Sequence, residues 1–313
     1  MVPSYLHLHN SGELKHRAQE ARALLACCEL CPRRCRVNRT AGELGLCRTG
    51  ARAVVAGYEP HFGEEAPISG VAGSGTIFFS NCNLGCVFCQ NHEISHDGVG
   101  IEVDSGQLAA MMISLQKQGC HNINLVTPSH VMPQILLALV AACERGLRIP
   151  LVYNSSGYDS LVGLALGRGV VDIYMPDFKF SSPASAKRFC KAADYPQVAR
   201  AAIAEMFRQV GDLQLDDQGL AVRGLLVRHL VMPGGLAEAE EIFAFLADLS
   251  PETYVNVMEQ YRPCFQAADY PPLDKPLSRQ DFLRAVELAR QQGLQRLEAG
   301  GVERLLARFL GGI

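Results

Sequence analysis

The sequence predicts an α/β protein whose body is a partial (β/α)6 barrel of the TIM type, with an N-terminal cysteine-rich cap. Three observations lead there: six short apolar, β-rich runs alternate with helical patterns, cysteines crowd into two clusters, and the first of the six runs leads straight into one of them. With 313 residues and 48% hydrophobic content, the chain can bury a full core. A barrel of this size counts as one main domain with appendages.

Taken in order, residues 1–74 form the N-terminal extension. It holds a polar helix near 11–26, the cysteines between Cys27 and Cys47, and short strands around 52–58. The barrel, 75–264, takes its strands from 76–80 (TIFFS), 122–127 (NINLVT), 149–154 (IPLVYN), 171–176 (VDIYMP), 224–231 (GLLVRHLV) and 254–258 (YVNVM). Amphipathic segments lie between them, such as 105–118 ended by Gly119 and 131–145 ended by Gly146. Parallel strands joined by helices make right-handed crossovers, and six in succession curl into a barrel or part-barrel with functional groups at the strand C-termini. The region 265–313 supplies a Pro- and Asp-rich loop over the barrel and closing helices. One of these, 278–292, opens with Ser278 and carries Asp281 three residues on, a variant of the capping box.

The formal charge is -3 and the Lys and Arg residues are scattered, so no footprint for nucleic acid is expected. The first residues contain no apolar signal core and no later run reaches the roughly 18 residues of a membrane span, which predicts a cytoplasmic protein with no membrane partner. Of the twelve cysteines, eight fall in the two clusters at metal-ligand spacing, so metal in a reducing compartment is the reading rather than disulfides.

At the end of the first strand stands Cys82-x3-Cys86-x2-Cys89, three thiolates on one short loop that can wrap one metal centre. Zinc would want a fourth ligand, for which His92 and His96 are the neighbours. The spacing, the aromatic Phe88 before the third cysteine and the strand-end position favour a [4Fe–4S] cluster with one iron left open. That iron can chelate the amino and carboxylate groups of S-adenosylmethionine, whose S–C5′ bond a single electron then breaks.

The run CNLGCVFCQN resembles the motif of the radical S-adenosylmethionine superfamily. With HFGEEAPISG, TPSH, YNSSGY, MPDFKF, VRHLVMPGG and EQYRP, the chain is similar over most of 28–263 to a PflX-type branch related to pyruvate formate-lyase-activating enzyme. The resemblance implies an enzyme that abstracts hydrogen from a protein or peptide, as an activase of a glycyl radical enzyme does, with a flavodoxin- or ferredoxin-type electron donor. A small-molecule substrate is the second enzymatic reading. An iron–sulfur electron carrier is the non-enzymatic one.

Cofactor contacts are expected around the rim, beside Phe88. Members of the superfamily commonly bind the methionine amino group with a Gly-Gly-Glu stretch. This chain has Thr127-Pro128-Ser129-His130 there, so Thr127 and Ser129 become the acceptors, and His130 is either a contact or a helix-capping residue. Asn154 and Ser156 face the ribose or carboxylate, and Gly157 permits a tight turn. Asp177 and Lys179 resemble the Asp-x-Lys of the activases, which implies a monovalent cation at Asp177, with Lys179 pairing either the cofactor or Asp177. On the fifth strand only one of Arg228 and His229 can face the interior. His229 resembles a cofactor-proximal position, the alternative being a satisfied core histidine. Glu259, Gln260 and Arg262 reach the same rim, to contact substrate or brace the C-terminal loop.

The second cluster, Cys28-x2-Cys31-x3-Cys35-x11-Cys47, is a complete set of four thiolates for zinc or a second iron–sulfur cluster, the latter suggesting an electron relay. Cys120, Cys143, Cys190 and Cys264 stand singly and read as small buried hydrophobes, Cys264 with some suspicion because it follows EQYRP.

Overall fold

In the computed structural model, residues 2–299 are described, so the 300–313 part of the expected C-terminal region lies outside them. All six expected strands form: β2 Ser74–Phe79, β4 Ile123–Val126, β5 Leu151–Ser155, β6 Ile173–Pro176, β8 Ala221–Leu230 and β9 Tyr254–Met258. Four further strands, β1 Ala53–His61, β3 Ile101–Val103, β7 Gln214–Leu215 and β10 Arg296–Ala299, complete one mixed sheet. Its order is β10-β9-β8-β6-β5-β4-β2-β1-β3, with β7 beside β8.

From β2 to β10 every neighbour on this path pairs in parallel, which makes seven parallel strands rather than the expected six. The seventh, RLEA, is only four residues long and alternates polar with apolar residues, so it offers no continuous apolar run of the kind the other six show. β1 and β3 add an antiparallel margin beyond β2. Because β1 lies inside the expected extension and is hydrogen-bonded along β2, the 74/75 boundary runs through the sheet.

The helices end as the sequence indicates. Helix Ser105–Lys117 is closed at its start by an Asp104–Gln107 capping box, and Ser278 caps Arg279–Gln291 by accepting the Asp281 N–H. The polar N-terminal segment is two helices, Tyr5–Asn10 and Glu13–Ala23, and a short 3-10 turn. No helix among the described residues is long and apolar enough to cross a membrane.

Both faces of the central strands are covered, which is why they read as continuous apolar runs. On the helix side, Ile77, Leu125, Leu151, Tyr174, Val227 and Val255 join helix residues such as Met112, Leu139 and Phe243 in the main core. The opposite face holds a smaller core of Ile68, Val152, Ile173, Met175, Leu213, Ala221 and Leu226. Leu225, Val227 and His229 alternate with Leu226, Arg228 and Leu230 along β8, so Arg228 shares the face of the smaller core and His229 that of the helices.

Candidate functional site

The parallel strands bring the expected site residues to one edge of the sheet, since Thr127, Ser156 and Asp177 each directly follow a strand and the 82–89 loop begins just past β2. Two backbone bonds hold that loop against the end of helix Pro183–Cys190. Gly85 N–H donates to the Cys190 carbonyl at 3.1 Å and Val87 N–H to that of Phe189 at 2.9 Å. From the other side, Gln266 N–H reaches the Val87 carbonyl at 2.9 Å and Gln90 Nε2 the Gln260 carbonyl at 3.2 Å. The C-terminal loop is thereby strapped over the cysteines, and Gln260 acts as a brace.

Each of the three thiols meets at least one hydrogen-bonding neighbour, and Cys82 Sγ also lies 3.9 Å from Asn83 Oδ1. Leu84 N–H points at Cys82 Sγ (3.4 Å), Cys190 Sγ lies 3.4 Å from Cys86 Sγ, and Ser95 Oγ lies 3.1 Å from Cys89 Sγ. Burial and the nearby Cys86 push the Cys82 thiol up to about 12, and burial raises Cys89. Contact with Cys190, then burial, raises Cys86. A metal centre bound here would have to take all three as thiolates, and its positive charge would offset the cost of ionising them in so dry a site.

Of the imidazoles offered for zinc, His96 places Nε2 3.2 Å from the Cys86 carbonyl with its ring tilted against Phe265, while His92 stacks on Phe265 and keeps its buried Nδ1 without a hydrogen-bond partner. Zinc–sulfur bonds of about 2.3 Å draw ligands around one point. The described residues contain no group of three or more His, Cys, Asp or Glu side chains already drawn together to hold a single metal ion, at either cysteine set. Cys190, expected to stand alone, is a fourth sulfur at the loop. Phe88 is buried between Phe180 and Tyr261 as a packing residue.

Around the rim, Asp177 is held from both sides. Lys179 Nζ donates to Oδ2 at 2.6 Å and Arg228 Nε to Oδ1 at 2.8 Å. Burial alone would raise this carboxyl, but the guanidinium and the ammonium outweigh it and hold it below the usual carboxylate range. With a cationic side chain on each oxygen, Asp177 is not left for the expected monovalent cation.

Arg228 also reaches Asn154 Oδ1 (2.7 Å) and Glu64 Oε2 (3.3 Å), and Glu64 accepts from Asn124 Nδ2 (3.0 Å) and Asn154 Nδ2 (3.3 Å). Burial lifts Glu64 to about 7 against the pull of Arg228. Next to it, the buried Glu65 accepts from Asn256 Nδ2 at 2.7 Å. Glu64 and Glu65 thus join the rim without having been singled out, and Arg228 takes the inward place that the alternation left between it and His229. The repeated acid in HFGEE, between two apolar segments, was the available signal.

His229 lies on the helix side, away from the Asp177–Arg228 network, and its buried Nε2 has no hydrogen-bond partner. Its Nδ1–H donates to the Phe178 carbonyl at 2.8 Å, its ring packs edge-on to Phe243, and burial lowers it to about 4. It is a core histidine on the helix side, and Arg228 is the residue that faces the rim. The Ser129 hydroxyl is spent in a buried set with Tyr153 and Asp159, to which Ser155 also donates. Thr127 adopts φ +62°, an uncommon conformation for a β-branched residue, and its N–H donates to the Asn154 carbonyl at 2.9 Å. The Ser156 carbonyl accepts from Tyr195 OH at 2.9 Å. Gly157 is required where it stands, at φ +74°, because a Cβ there would come within 2.2 Å of the Asp177 carbonyl oxygen.

In the extension, Cys28, Cys31, Cys35 and Cys47 line a single small cavity with Leu30, Arg39 and His130. The buried Arg39 guanidinium approaches Cys28 Sγ (3.8 Å) and donates to the His130 carbonyl (2.8 Å). Burial lifts Cys31 to about 12, with Cys47 and Cys28 adding to it. His130 neither contacts the rim nor caps: its Nε2 lies 3.0 Å from the Ser80 carbonyl, and burial lowers it to about 4. Arg33 joins the two cysteine regions, donating to the carbonyls of Asn83 and Lys191, both at 2.9 Å.

No family model matches the chain. It is 31% identical over 285 residues to the uncharacterized protein MJ0674 of Methanocaldococcus jannaschii, covering 89% of this chain and 78% of that one. The chain belongs to the MJ0674 family. Among solved structures, that of TYW1 with a lysine-pyruvate adduct bound overlaps 69% of this chain and 73% of its own, at 8% identity and a TM-score of 0.42. That likeness is too loose to assign a fold. A match to MJ0674 that omits so little of the chain necessarily runs across the 82–89 loop and the strands from β2 to β9.

Proposed function

We propose that this chain is a radical S-adenosylmethionine enzyme in which Cys82, Cys86 and Cys89 hold a [4Fe–4S] cluster with one iron left for the cofactor. The observation that carries the reading is the 82–89 loop itself: three thiols on one loop at the end of a parallel strand, docked by backbone hydrogen bonds against a helix end that brings a fourth sulfur, Cys190, beside Cys86. Held by those three thiolates, a cluster would supply the single electron that reductive cleavage of the S-adenosylmethionine sulfonium requires, the chemistry by which such enzymes begin hydrogen abstraction.

This chain's own residues then do the positioning. Asp177, Lys179, Arg228, Asn154 and Glu64 form one buried polar network on the inner face of the sheet, with carboxylate, amide and cationic groups for the ribose and methionine ends of the cofactor. Polar and apolar groups from β4, β5, β6, β8 and β9 converge on that face, which favours a sheet curled into a part-barrel.

The resemblance to the PflX-type branch favours a protein or peptide substrate and a cytoplasmic setting. Cys28, Cys31, Cys35 and Cys47 line one small cavity, a set of four thiols that suits zinc or a second iron–sulfur cluster.

The test is anaerobic reconstitution with iron and sulfide, then reduction in the presence of S-adenosylmethionine. Wild-type protein releases 5′-deoxyadenosine and Cys86→Ala does not. A fully loaded, reduced wild type that neither binds S-adenosylmethionine nor releases the nucleoside refutes the reading.

A further inference from the structure

Cys190 is 104 residues from Cys86 in sequence, yet its sulfur lies 3.4 Å from that of Cys86, and the two thiols are 0% and 9% exposed. That separation is a hydrogen-bonding contact and far exceeds the ~2.05 Å of a disulfide. Nor is it an accident of loose packing, because the N–H groups on both sides of Cys86, at Gly85 and Val87, are bonded to the carbonyls of Cys190 and Phe189. Lys191, in the left-handed conformation at φ +58°, ends the helix there, and its carbonyl takes the Arg33 guanidinium. The helix end is thus fastened from two directions with its last thiol against Cys86.

Cys89 has a matching partner in Ser95, 3.1 Å away in the short helix His92–Ser95. Without a metal, either atom of each pair can donate. A sulfur bound to iron has no proton to give, so in the loaded protein the donors are the Cys190 S–H and the Ser95 O–H.

We infer that Cys190 and Ser95 are positioning residues that donate hydrogen bonds to the cluster-bearing sulfurs of Cys86 and Cys89 and thereby set the reduction potential of that centre. The inference rests on the reading that Cys82, Cys86 and Cys89 hold the cluster. Hydrogen bonds to ligand sulfurs stabilise the extra negative charge of the reduced state, and they act more strongly where water is excluded. Each donor makes the centre easier to charge from an electron donor, at the expense of driving force toward the sulfonium.

The test compares reconstituted full-length wild type with Cys190→Ala, Cys190→Ser and Ser95→Ala, by redox titration followed by electron paramagnetic resonance, together with iron and sulfide content. The midpoint read is that of the centre whose signal responds to S-adenosylmethionine. The expected result is unchanged iron per chain and a more negative midpoint in both alanine variants, by on the order of tenfold in the reduction equilibrium, about 59 mV for one electron. Cys190→Ser keeps a donor in nearly the same volume and stays close to wild type.

Full iron with an unmoved midpoint in both alanine variants overturns the inference and leaves the function reading intact. Loss of iron in Cys190→Ala makes Cys190 a ligand and overturns it too. A wild type that takes up no cluster at Cys82, Cys86 and Cys89 fails earlier, at the function reading itself, and takes the inference with it. Ser95 is half-buried on a separate segment, so its variant decides the question should Cys190→Ala misfold.

Discussion

Replacing Arg228 with Met removes the cation that ties the polar network together while keeping a long, unbranched side chain. The Arg228 side chain is 14% exposed and those of Glu64 and Asp177 are 11% and 19% exposed, so the substitution leaves carboxylates facing each other out of water. Breaking a buried pair of this kind costs about 3–5 kcal/mol. Lys179 still neutralises Asp177, which places most of the loss on Glu64.

The loss then depends on pH in a definite direction. Glu64 already titrates at about 7 in the folded chain, above the ~4.3 of a free glutamate. A carboxyl raised by folding costs stability progressively as pH rises from the unfolded to the folded value. Without Arg228 the folded value climbs further, so the penalty keeps growing beyond pH 7. At pH 5 Glu64 is protonated in both folded proteins and the difference shrinks. Urea unfolding at pH 5 and pH 8 measures this. A loss of equal size at both, or one under about 1 kcal/mol at pH 8, shows that the Arg228–Glu64 charge pair is not what the residue supplies.

Two other perturbations test the surroundings of the site. Gly157→Ala puts a methyl group where the Asp177 carbonyl stands and forces a non-glycine residue to φ +74°, so it should cost about 2–4 kcal/mol in chemical denaturation; a cost below about 1 kcal/mol means the turn relaxes freely. His229 titrates at about 4 when folded against about 6.5 unfolded, so the unfolded chain takes its proton first and this residue withdraws stability as pH falls through that window, reaching about 3 kcal/mol near pH 4. His229→Asn should remove that part of the acid sensitivity, and parallel wild-type and variant stability profiles between pH 6.5 and 4 would count against a buried neutral imidazole.

The six parallel strands were legible because both of their faces are buried, and such strands announce themselves as unbroken apolar runs. The same property hid which face is which. Along GLLVRHLV the alternation says that Arg228 and His229 oppose each other, and only packing decides that Phe243 takes the histidine and Asp177 the arginine. The three-cysteine loop was legible from spacing alone, since its ligands are neighbours in sequence. Cys190 was not, because its meeting with Cys86 depends on how a helix end docks across the sheet. Glu64 lies in a connection with no periodicity, where the repeated acid of HFGEE marks the position and leaves its reach to Asn124, Asn154 and Arg228 to the folding of the sheet. Ser129 and Phe88 carry the right chemistry for a cofactor and are spent on Asp159 and on aromatic packing.

The antiparallel margin formed by β1 and β3 has a bearing on how the chain stays in solution. β2 carries the cysteine loop, and its outer row of amides and carbonyls is occupied along its length by β1. Were the residues before Ser74 cut away, that row would lie bare beside a strand that ends in three large apolar side chains, Ile77, Phe78 and Phe79, a template on which a second molecule can add. The leading part of the polypeptide therefore works as a selvage, finishing the woven edge that the chemistry sits on, and the strand bearing the three thiols cannot be taken as an independent unit without inviting its own polymerisation.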